Sequence, residues 1–550
     1  MKSAIVIGSG ISGMTCAVKL AEAGVKVELV SPFPSERSQS VMAAGGINAV
    51  LSDHEDGDSV ACHIEDTRKG GRYLAGETAV AGLCGHAEEI IRYLEGIGTV
   101  FSVDENGHPA RRAFGGQSYR RTCYCGSATG KQIVSALVME TRKYEGAGLI
   151  RRRLWSCFHS ALIRDGKCCG VLLFDESTRK IEAAYADAVV IATGGQNALF
   201  GKTTGSTQCD GYTAGKLFLQ GVELKNLEFI QYHPTALSTG QKKMLISEAV
   251  RGEGGRLFYI ENEERVYFME EKYGPRGNLM TRDVVSREIE AAGRQVFLDI
   301  SFLDRKQIDR RLPEVRDLCK KYRNLDIAAE PIPVEPSVHF FMGGLAVHLN
   351  HETNIKNLFA IGECASMYHG ANRLGGNSLL AAVHSGMIAA KEIAARPSEY
   401  TLPEEQTDFV RQLESANEQL KKALEAGVES QFPVMYIREM LAETMNRDLG
   451  IVRDEASLDA GISDVDYYLS AADKITYDSS VMPYEIYSLK GILALAKAVL
   501  VCAKERRESR GAHFRSDYPE TEEDFACATI ISYDQGEYRV RFDKERAYES

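Results

Sequence analysis

Ala4-Ile5-Val6-Ile7-Gly8-Ser9-Gly10-Ile11-Ser12-Gly13, running on into the helical pattern of Met14 to Ala23, sets the architecture expected of this chain. Four apolar residues in a row read as a short buried strand, and the glycines after them have the spacing of a strand-turn-helix junction. Each glycine has its own task. Gly8 makes the tight turn, Gly10 lets the backbone approach a pyrophosphate, and Gly13 lets helix and strand pack closely, with the helix N-terminus aimed at the phosphates. A GxGxxG alone is a weak signal that also fits a plain glycine turn; its place between strand and helix favours a dinucleotide. Residues 1 to 20 therefore read as a first strand and helix, not as a targeting segment.

Outward from this junction, Val25 to Val30 supplies a second strand. It ends at Ser31 instead of the usual acid, with Glu28 inside the strand, which disfavours a nicotinamide dinucleotide. A later strand, Ala188 to Ala192, ends in Thr193-Gly194-Gly195. The run Asn357 to Ile361 ends at Gly362-Glu363, which can place Glu363 near the sugar chain of the cofactor. Three strand-to-glycine junctions so far apart imply one nucleotide domain assembled from both ends of the sequence. The fold class is α/β: a Rossmann-like domain with an inserted cap, followed by a C-terminal helical domain.

The expected division is 1–233 with 341–400 for the nucleotide-binding domain, 234–340 for the cap, 404–510 for the helical domain and 511–550 for a polar tail. In the cap, charged helices are expected around Arg282 to Ala292 and Gln307 to Tyr322. A helical pattern runs from Glu404 to Asp448, with apolar positions at Phe409, Leu413, Leu420 and Leu424, and another helix from about Pro483 to Arg507. The tail is assigned to covering the domain surface or to a partner contact.

The chain has 550 residues, 44% of them hydrophobic, so two to four structural units are expected. A formal net charge of -12, spread along the sequence, argues against a nucleic-acid surface. An anionic substrate would need a local basic pocket. Thirteen cysteines are an odd number, and none pair at zinc-finger or ferredoxin spacing, which suits free thiols in a reducing compartment and no metal site. No stretch approaches the roughly 20 apolar residues of a membrane span, so the expected location is cytoplasmic, and at a membrane another chain has to hold the protein in place.

A dicarboxylate needs two cationic or strongly donating grips, one per carboxylate. Candidates are His233, in Gln231-Tyr232-His233-Pro234-Thr235; His339, ahead of Phe340-Phe341-Met342-Gly343-Gly344; and Arg373, among the glycines of Asn372-Arg373-Leu374-Gly375-Gly376-Asn377-Ser378. Each histidine could equally serve a structural hydrogen bond. Glu248, Arg251, Glu253 and the pair Arg282-Asp283 fall in the inserted region, where composition alone would make them a solvated face.

The order of these elements resembles the flavoprotein subunit of the succinate dehydrogenase and fumarate reductase family, to which L-aspartate oxidase is related. The likeness covers nearly the whole chain. It includes Arg37-Ser38 followed by Gly45-Gly46, His63 through Gly71, Phe114-Gly115-Gly116, Ala192 to Gly195, Glu248 to Gly255, Arg282 to Ser286, His369 through Ser378, and Ser509 to His513. The resemblance implies FAD as cofactor, held by Gly8, Gly10, Gly13, Ser31, Arg37, Ser38, Gln39, Gly45, Gly46, Thr193, Gly194, Asp210, Glu363, Asn377, Ser378 and Leu379. It implies that His233 and Thr235 hold one substrate carboxylate and His339 and Arg373 the other, with Phe114 beside the substrate. Arg282 resembles the arginine that hands a proton to the substrate carbon, resupplied through Arg251 and Glu248. An iron-sulfur electron-transfer subunit and an anchor subunit at the inner face of a membrane are the implied partners.

Two departures stand out. Where the family commonly carries a histidine joined covalently to the flavin, this chain has Gln39, whose amide is not nucleophilic enough for that bond. FAD is therefore expected to be non-covalent, with a bias toward fumarate reduction; L-aspartate oxidase also holds FAD without the link. Ala44 replaces a common glutamine or glutamate. Cys123 and Cys125, two residues apart, read as core fillers more readily than as a redox pair. The functional expectation is a fumarate reductase or succinate dehydrogenase flavoprotein. L-Aspartate oxidase, the reductase of another unsaturated dicarboxylate, and a non-catalytic FAD-bearing subunit are the alternatives.

Overall fold

The computed structural model describes residues 2–52, 57–126, 128–240, 242–398, 407–425, 433–472, 475, 482–544 and 548. Its centre is a five-stranded parallel sheet of β1 (Ser3–Ile7), β2 (Lys26–Ser31), β3 (Ile150–Leu154), β4 (Ala188–Ile191) and β5 (Leu358–Ala360), in the order β5-β4-β1-β2-β3. Ala4 pairs with Ala188 and Val27 on either side, and Val189 pairs with Leu358. Strands separated by more than 150 residues thus lie side by side. The near-continuous apolar runs of β1 and β4 follow from burial on both faces, by helices on one side and by strands such as Lys167–Asp175, which contacts β4, on the other. Helices α1 (Ile11–Glu22) and α2 (Asn377–Ala395) pack on one another against this sheet. An antiparallel meander of Ser156–Arg164, Lys167–Asp175 and Lys180–Tyr185, which no sequence motif announces, fills the connection between β3 and β4.

Two long antiparallel strands, Ile230–Ser238 and Ile332–Phe341, lead out of this body and back. They form the middle of a six-stranded sheet that also holds Lys243–Leu245, Arg256–Glu261, Glu264–Val266 and Val296–Asp299. Charged helices dominate the sequence pattern of the cap, yet its core is this sheet. The helices Phe268–Tyr273, Arg282–Ala291, Arg305–Arg311 and Pro313–Arg323 share one core with it, around Leu257, Leu298, Ile332 and Val285. The single helix expected over Gln307 to Tyr322 is broken into Arg305–Arg311 and Pro313–Arg323. Pro313 has no amide hydrogen to donate and is preorganised for a first helical position, so it starts a new helix.

The C-terminal helices are Thr407–Glu425, Val434–Asp448, Glu455–Ala472 and Pro483–Glu505. Residues 400 and 404–406 of the expected division and the side chain of Leu424 lie outside the described residues. Pro483–Glu505 is 23 residues long and apolar enough by composition to cross a membrane, against the expectation that no such stretch exists. Most of it is buried, with Leu493, Ala496 and Leu500 inside the main core. The segment expected as a polar tail is a structured part of the body. Ala528–Asp534 and Glu537–Asp543 form a hairpin that adds to the strand Leu224–Lys225. Beneath it, Arg506 lies fully buried between Glu228 and Glu508 at 2.6 and 2.8 Å, and Arg510 donates to Glu508 at 2.8 Å.

Candidate active site

A continuous cleft runs from the carboxyl ends of β1, β2 and β4 to the underside of the cap. At one end its walls are Gly8, Gly10 and Ser31; Thr193 and Gly194 follow, and Ser38, Gln39, Gly45 and Gly46 lie opposite. Gly8 has φ +112°, and a β-carbon there would stand 2.2 Å from the carbonyl oxygen of Ala192. Gly13 does not line the cleft. A β-carbon on it would stand 1.9 Å from the Gly8 carbonyl oxygen, so its task is the close helix-strand contact expected from the motif. The N-cap positions of α1 and α2 are glycines, Gly10 and Gly376; the Ile11 amide donates to Ser40 Oγ and the Asn377 amide to the Leu374 carbonyl, both at 3.2 Å, and the next first-turn amides of both helices are left for an anion.

Ser378, Leu379, Glu363 and Asp210 complete this part of the wall. Glu363 accepts the Phe341 amide at 3.1 Å; burial raises its carboxyl to about 7, against the opposing pull of that amide and of Arg373. Asp210 accepts the Tyr484 hydroxyl at 2.8 Å and the Tyr212 amide at 3.0 Å. Tyr484, on the helix Pro483–Glu505, also lines the cleft, a contribution from the helical region that no motif announces. Of the remaining expected cofactor residues, Arg37 is exposed and away from the cleft. Asn377 stands behind the wall, bonded to Asn48, His63 and Thr67 at 2.7, 3.1 and 3.0 Å. The residues present fit an FAD: the glycines leave room a side chain would fill, and Ser38 Oγ and Gln39 Oε1 are buried on the cleft wall with no partner among the described residues.

Toward the cap the cleft is bounded by Phe114, His233, Glu248, Arg282, His339 and Arg373. The long strands Ile230–Ser238 and Ile332–Phe341 supply the two histidines, whose rings are 5.2 Å apart and steeply inclined. Arg282 opens the cap helix, and Arg373 sits in the loop before α2 with its guanidinium 4.2 Å from the Phe340 ring. Burial and the positive charges of Arg282 and its neighbours hold both imidazoles far below the usual histidine value, so both are neutral at pH 7. Thr204 Oγ1 lies 3.0 Å from His339 Nδ1.

Glu248 Oε2 accepts from Arg282 Nε and Nη2 at 2.9 and 2.8 Å, and Oε1 accepts the Gly115 amide at 2.7 Å. Arg251 Nη2 approaches Oε1 at 3.6 Å. Burial alone would raise this carboxyl; Arg282 and Arg251 overcome that and bring it down to about 2. Gln231, to which its sequence context assigns no task, accepts Arg282 Nη1 and Arg373 Nη2 on one oxygen, both at 3.0 Å. The two cationic nitrogens are therefore within about 6 Å, a repulsion of about 3 kcal/mol at an effective dielectric of about 20. Burial and Arg282 both disfavour the charged form of Arg373, and its Nε has no partner among the described residues. Arg282 and the Arg251 behind it share the ionised carboxylate of Glu248, and Arg373 faces Glu363, which burial holds at about 7, so this end of the cleft keeps a net positive charge. Asp283 is balanced separately by Arg72 at 2.9 Å.

Thr235 is a correction. It is fully buried off the cleft, and its hydroxyl donates to the Ile246 carbonyl at 2.9 Å, so it holds the loop beside His233 instead of facing a ligand. Arg251 is likewise behind the wall, as a group acting through Glu248 would be. Ala44 lines the cleft, as does Ser247, which carries no signal in the sequence. Cys123 and Cys125 are both buried and form no disulfide with one another, and burial pushes the Cys125 thiol up to about 12. An unreactive packing role follows.

Comparison with known proteins agrees with this fold. The FAD binding domain family matches residues 3–379, and the fumarate reductase flavoprotein C-terminal family matches residues 438–548. Fold and cleft together define an FAD-dependent oxidoreductase. The chain is 35% identical over 560 residues to the succinate dehydrogenase flavoprotein subunit of Bacillus subtilis, covering 96% of this chain and 93% of that one. It is 34% identical over 530 residues to L-aspartate oxidase of Pyrococcus furiosus, covering 96% and 98%. A solved quinol-fumarate reductase with menaquinol molecules superposes with a TM-score of 0.89 at 29% identity over 98% of each chain. This chain belongs to the succinate dehydrogenase/fumarate reductase flavoprotein family.

Proposed function

We propose that the protein is a fumarate reductase/succinate dehydrogenase flavoprotein subunit working mainly as a reductase of fumarate or a close unsaturated dicarboxylate. The observation that carries this reading is the net positive charge at the cap end of the cleft, where Arg282 and Arg373 stand on the wall beside His233 and His339, the complement of an anionic substrate with two carboxylates. A buried net charge of this kind is costly unless a ligand neutralises it. Arg373 and His339 take one carboxylate and His233 the other, with Phe114 closing the apolar side. When bound, FAD supplies the hydride for one alkene carbon. Arg282 gives a proton to the other carbon, where negative charge develops, and its guanidinium stabilises that charge before transfer. Glu248, ionised at rest, touches both Arg282 and Arg251; once Arg282 has given up its proton, the carboxylate takes one from Arg251 and passes it to Arg282.

We assign the cofactor role to the glycine junctions, Ser31, Ser38, Gln39, Asp210, Glu363, Ser378 and Leu379, and take the FAD to be non-covalent because Gln39 offers no nucleophile. The proposed units are the FAD-binding body, the cap and the helical region, as divided above, with the C-terminal hairpin joined to the body. An iron-sulfur subunit accepts or delivers the electrons, and the complex sits at the cytoplasmic face of a membrane through an anchor subunit.

L-Aspartate oxidase is the second reading, favoured by Gln39 and by the Pyrococcus relative. It needs a carboxylate for the substrate ammonium. At the cap end of the cleft both oxygens of Glu248 are already engaged, which supports the dicarboxylate reading. The test is anaerobic reoxidation of the reduced, purified protein by fumarate beside a panel of related unsaturated acids. Reoxidation by fumarate supports the proposal; ammonia release from L-aspartate with no response to fumarate overturns it.

A further inference from the structure

We infer that Gln231 is a positioning residue for the reaction: its uncharged carboxamide spaces Arg282 and Arg373 while leaving their positive charge for the substrate. The inference rests on the dicarboxylate reading above.

The direction of the amide is fixed by its neighbours. Asp283 can only accept, and it takes Arg72 at 2.9 Å and Asn372 Nδ2 at 2.9 Å. Asn372 must then present Oδ1 to Gln231, whose Nε2 donates to it at 2.8 Å and to the Arg373 carbonyl at 2.8 Å. Gln231 Oε1 is left facing the two guanidiniums, each at 3.0 Å. The opposite orientation would set an NH2 group against two cations and the amide oxygen against two other acceptors, Asn372 Oδ1 and the Arg373 carbonyl. The side chain is fully buried, and both of its polar atoms are engaged twice. One neutral oxygen therefore determines both the separation and the aim of the arginine assigned to the proton and the arginine assigned to a carboxylate.

The choice of an amide is itself informative. A glutamate has the same shape and would bind two arginines more strongly. It would also cancel one positive charge and hold Arg282 and Arg373 against the protein instead of the ligand. Glutamine fixes the geometry without consuming the charge, so the residue contributes to specificity for a dianion.

Two substitutions separate this role from simple packing. In the FAD-loaded protein, Gln231→Glu should weaken binding of succinate, measured by calorimetry, by at least about tenfold and raise KM for fumarate in proportion. Binding of propionate, with one carboxylate, should change less. Gln231→Met, which keeps the volume and removes the acceptor, should lower kcat at least about tenfold with a smaller change in KM. The inference is overturned if Gln231→Glu binds succinate like the unaltered protein, if both variants shift kcat and KM alike, or if both simply lose FAD and fold poorly. Failure of the unaltered protein to bind succinate or turn over fumarate would instead remove the dicarboxylate reading.

Discussion

Arg282 places Nε and Nη2 on the same oxygen of Glu248, at 2.9 and 2.8 Å, while its Nη1 turns to Gln231. A guanidinium clamped on three sides has one orientation, and the structure puts it on the cleft wall. If it is the proton donor, Arg282→Lys keeps the charge and loses the fork. Turnover of fumarate should fall by about 10² to 10⁴, the usual contribution of a positioned acid, with flavin content unchanged. Stopped-flow reoxidation alongside the flavin absorbance of the purified variant checks both halves of this expectation.

Glu248 sits between Arg282 and Arg251, so removing its charge leaves two buried cations without their counterion. Glu248→Gln should destabilise the apoprotein by about 3 to 5 kcal/mol, the cost of breaking a buried pair. The same substitution should slow turnover more than it changes dicarboxylate affinity, because the pocket gains positive charge while the return of the proton is blocked. Urea midpoints and steady-state kinetics on one preparation distinguish the two effects. An unaltered turnover number would remove Glu248 from the proton route.

Glu363 offers a pH test. Its folded value is about 7 against an ordinary 4.5, burial being the cause. Between these values the folded chain holds a proton that the unfolded chain has released, so this group makes stability fall as pH rises from about 4.5 to about 7, with no further change above. The buried histidines act in the opposite sense below 6.5, since the unfolded chain protonates first. The difference between the unaltered protein and Glu363→Gln isolates the carboxyl. In FAD-free protein the variant should gain thermal stability over the unaltered chain at pH 7.5 and little at pH 4.5.

The FAD-binding body was legible because its signals are local: an apolar run and a glycine turn follow one another at three places, the first running straight into a helix. The pairing of β4 with β5 and the insertion between them follow from that repetition. The sheet of the cap was not legible. Its strands Ile230–Ser238 and Ile332–Phe341 pair across about a hundred residues, and their alternation is interrupted by Pro234 and by irregular register near Gln231 and His233. Thr235 was misplaced because a motif gives spacing along the chain, while the hydroxyl direction depends on the Ile246 carbonyl that arrives from the segment after the next strand. Gln231 was overlooked for a related reason. A neutral amide carries no chemical signal until two arginines from distant segments converge on it.

The state of the flavin provides the last test. Gln39 lines the cleft with its Oε1 buried and unpartnered among the described residues, and an amide there can donate to or accept from a cofactor without joining it. Acid precipitation of the purified protein should therefore release all the flavin to the supernatant, leaving no fluorescent band on a denaturing gel. Gln39→His restores a ring nitrogen at the position where the resemblance expects attachment. If the cleft geometry is otherwise suited to that bond, a fraction of the variant should retain fluorescence through denaturation. The variant should then oxidise succinate faster relative to its rate of fumarate reduction, because attachment raises the potential of the flavin. Flavin that stays with the unaltered chain after precipitation would mean another residue forms the bond, and the expected bias toward reduction would lose its cause.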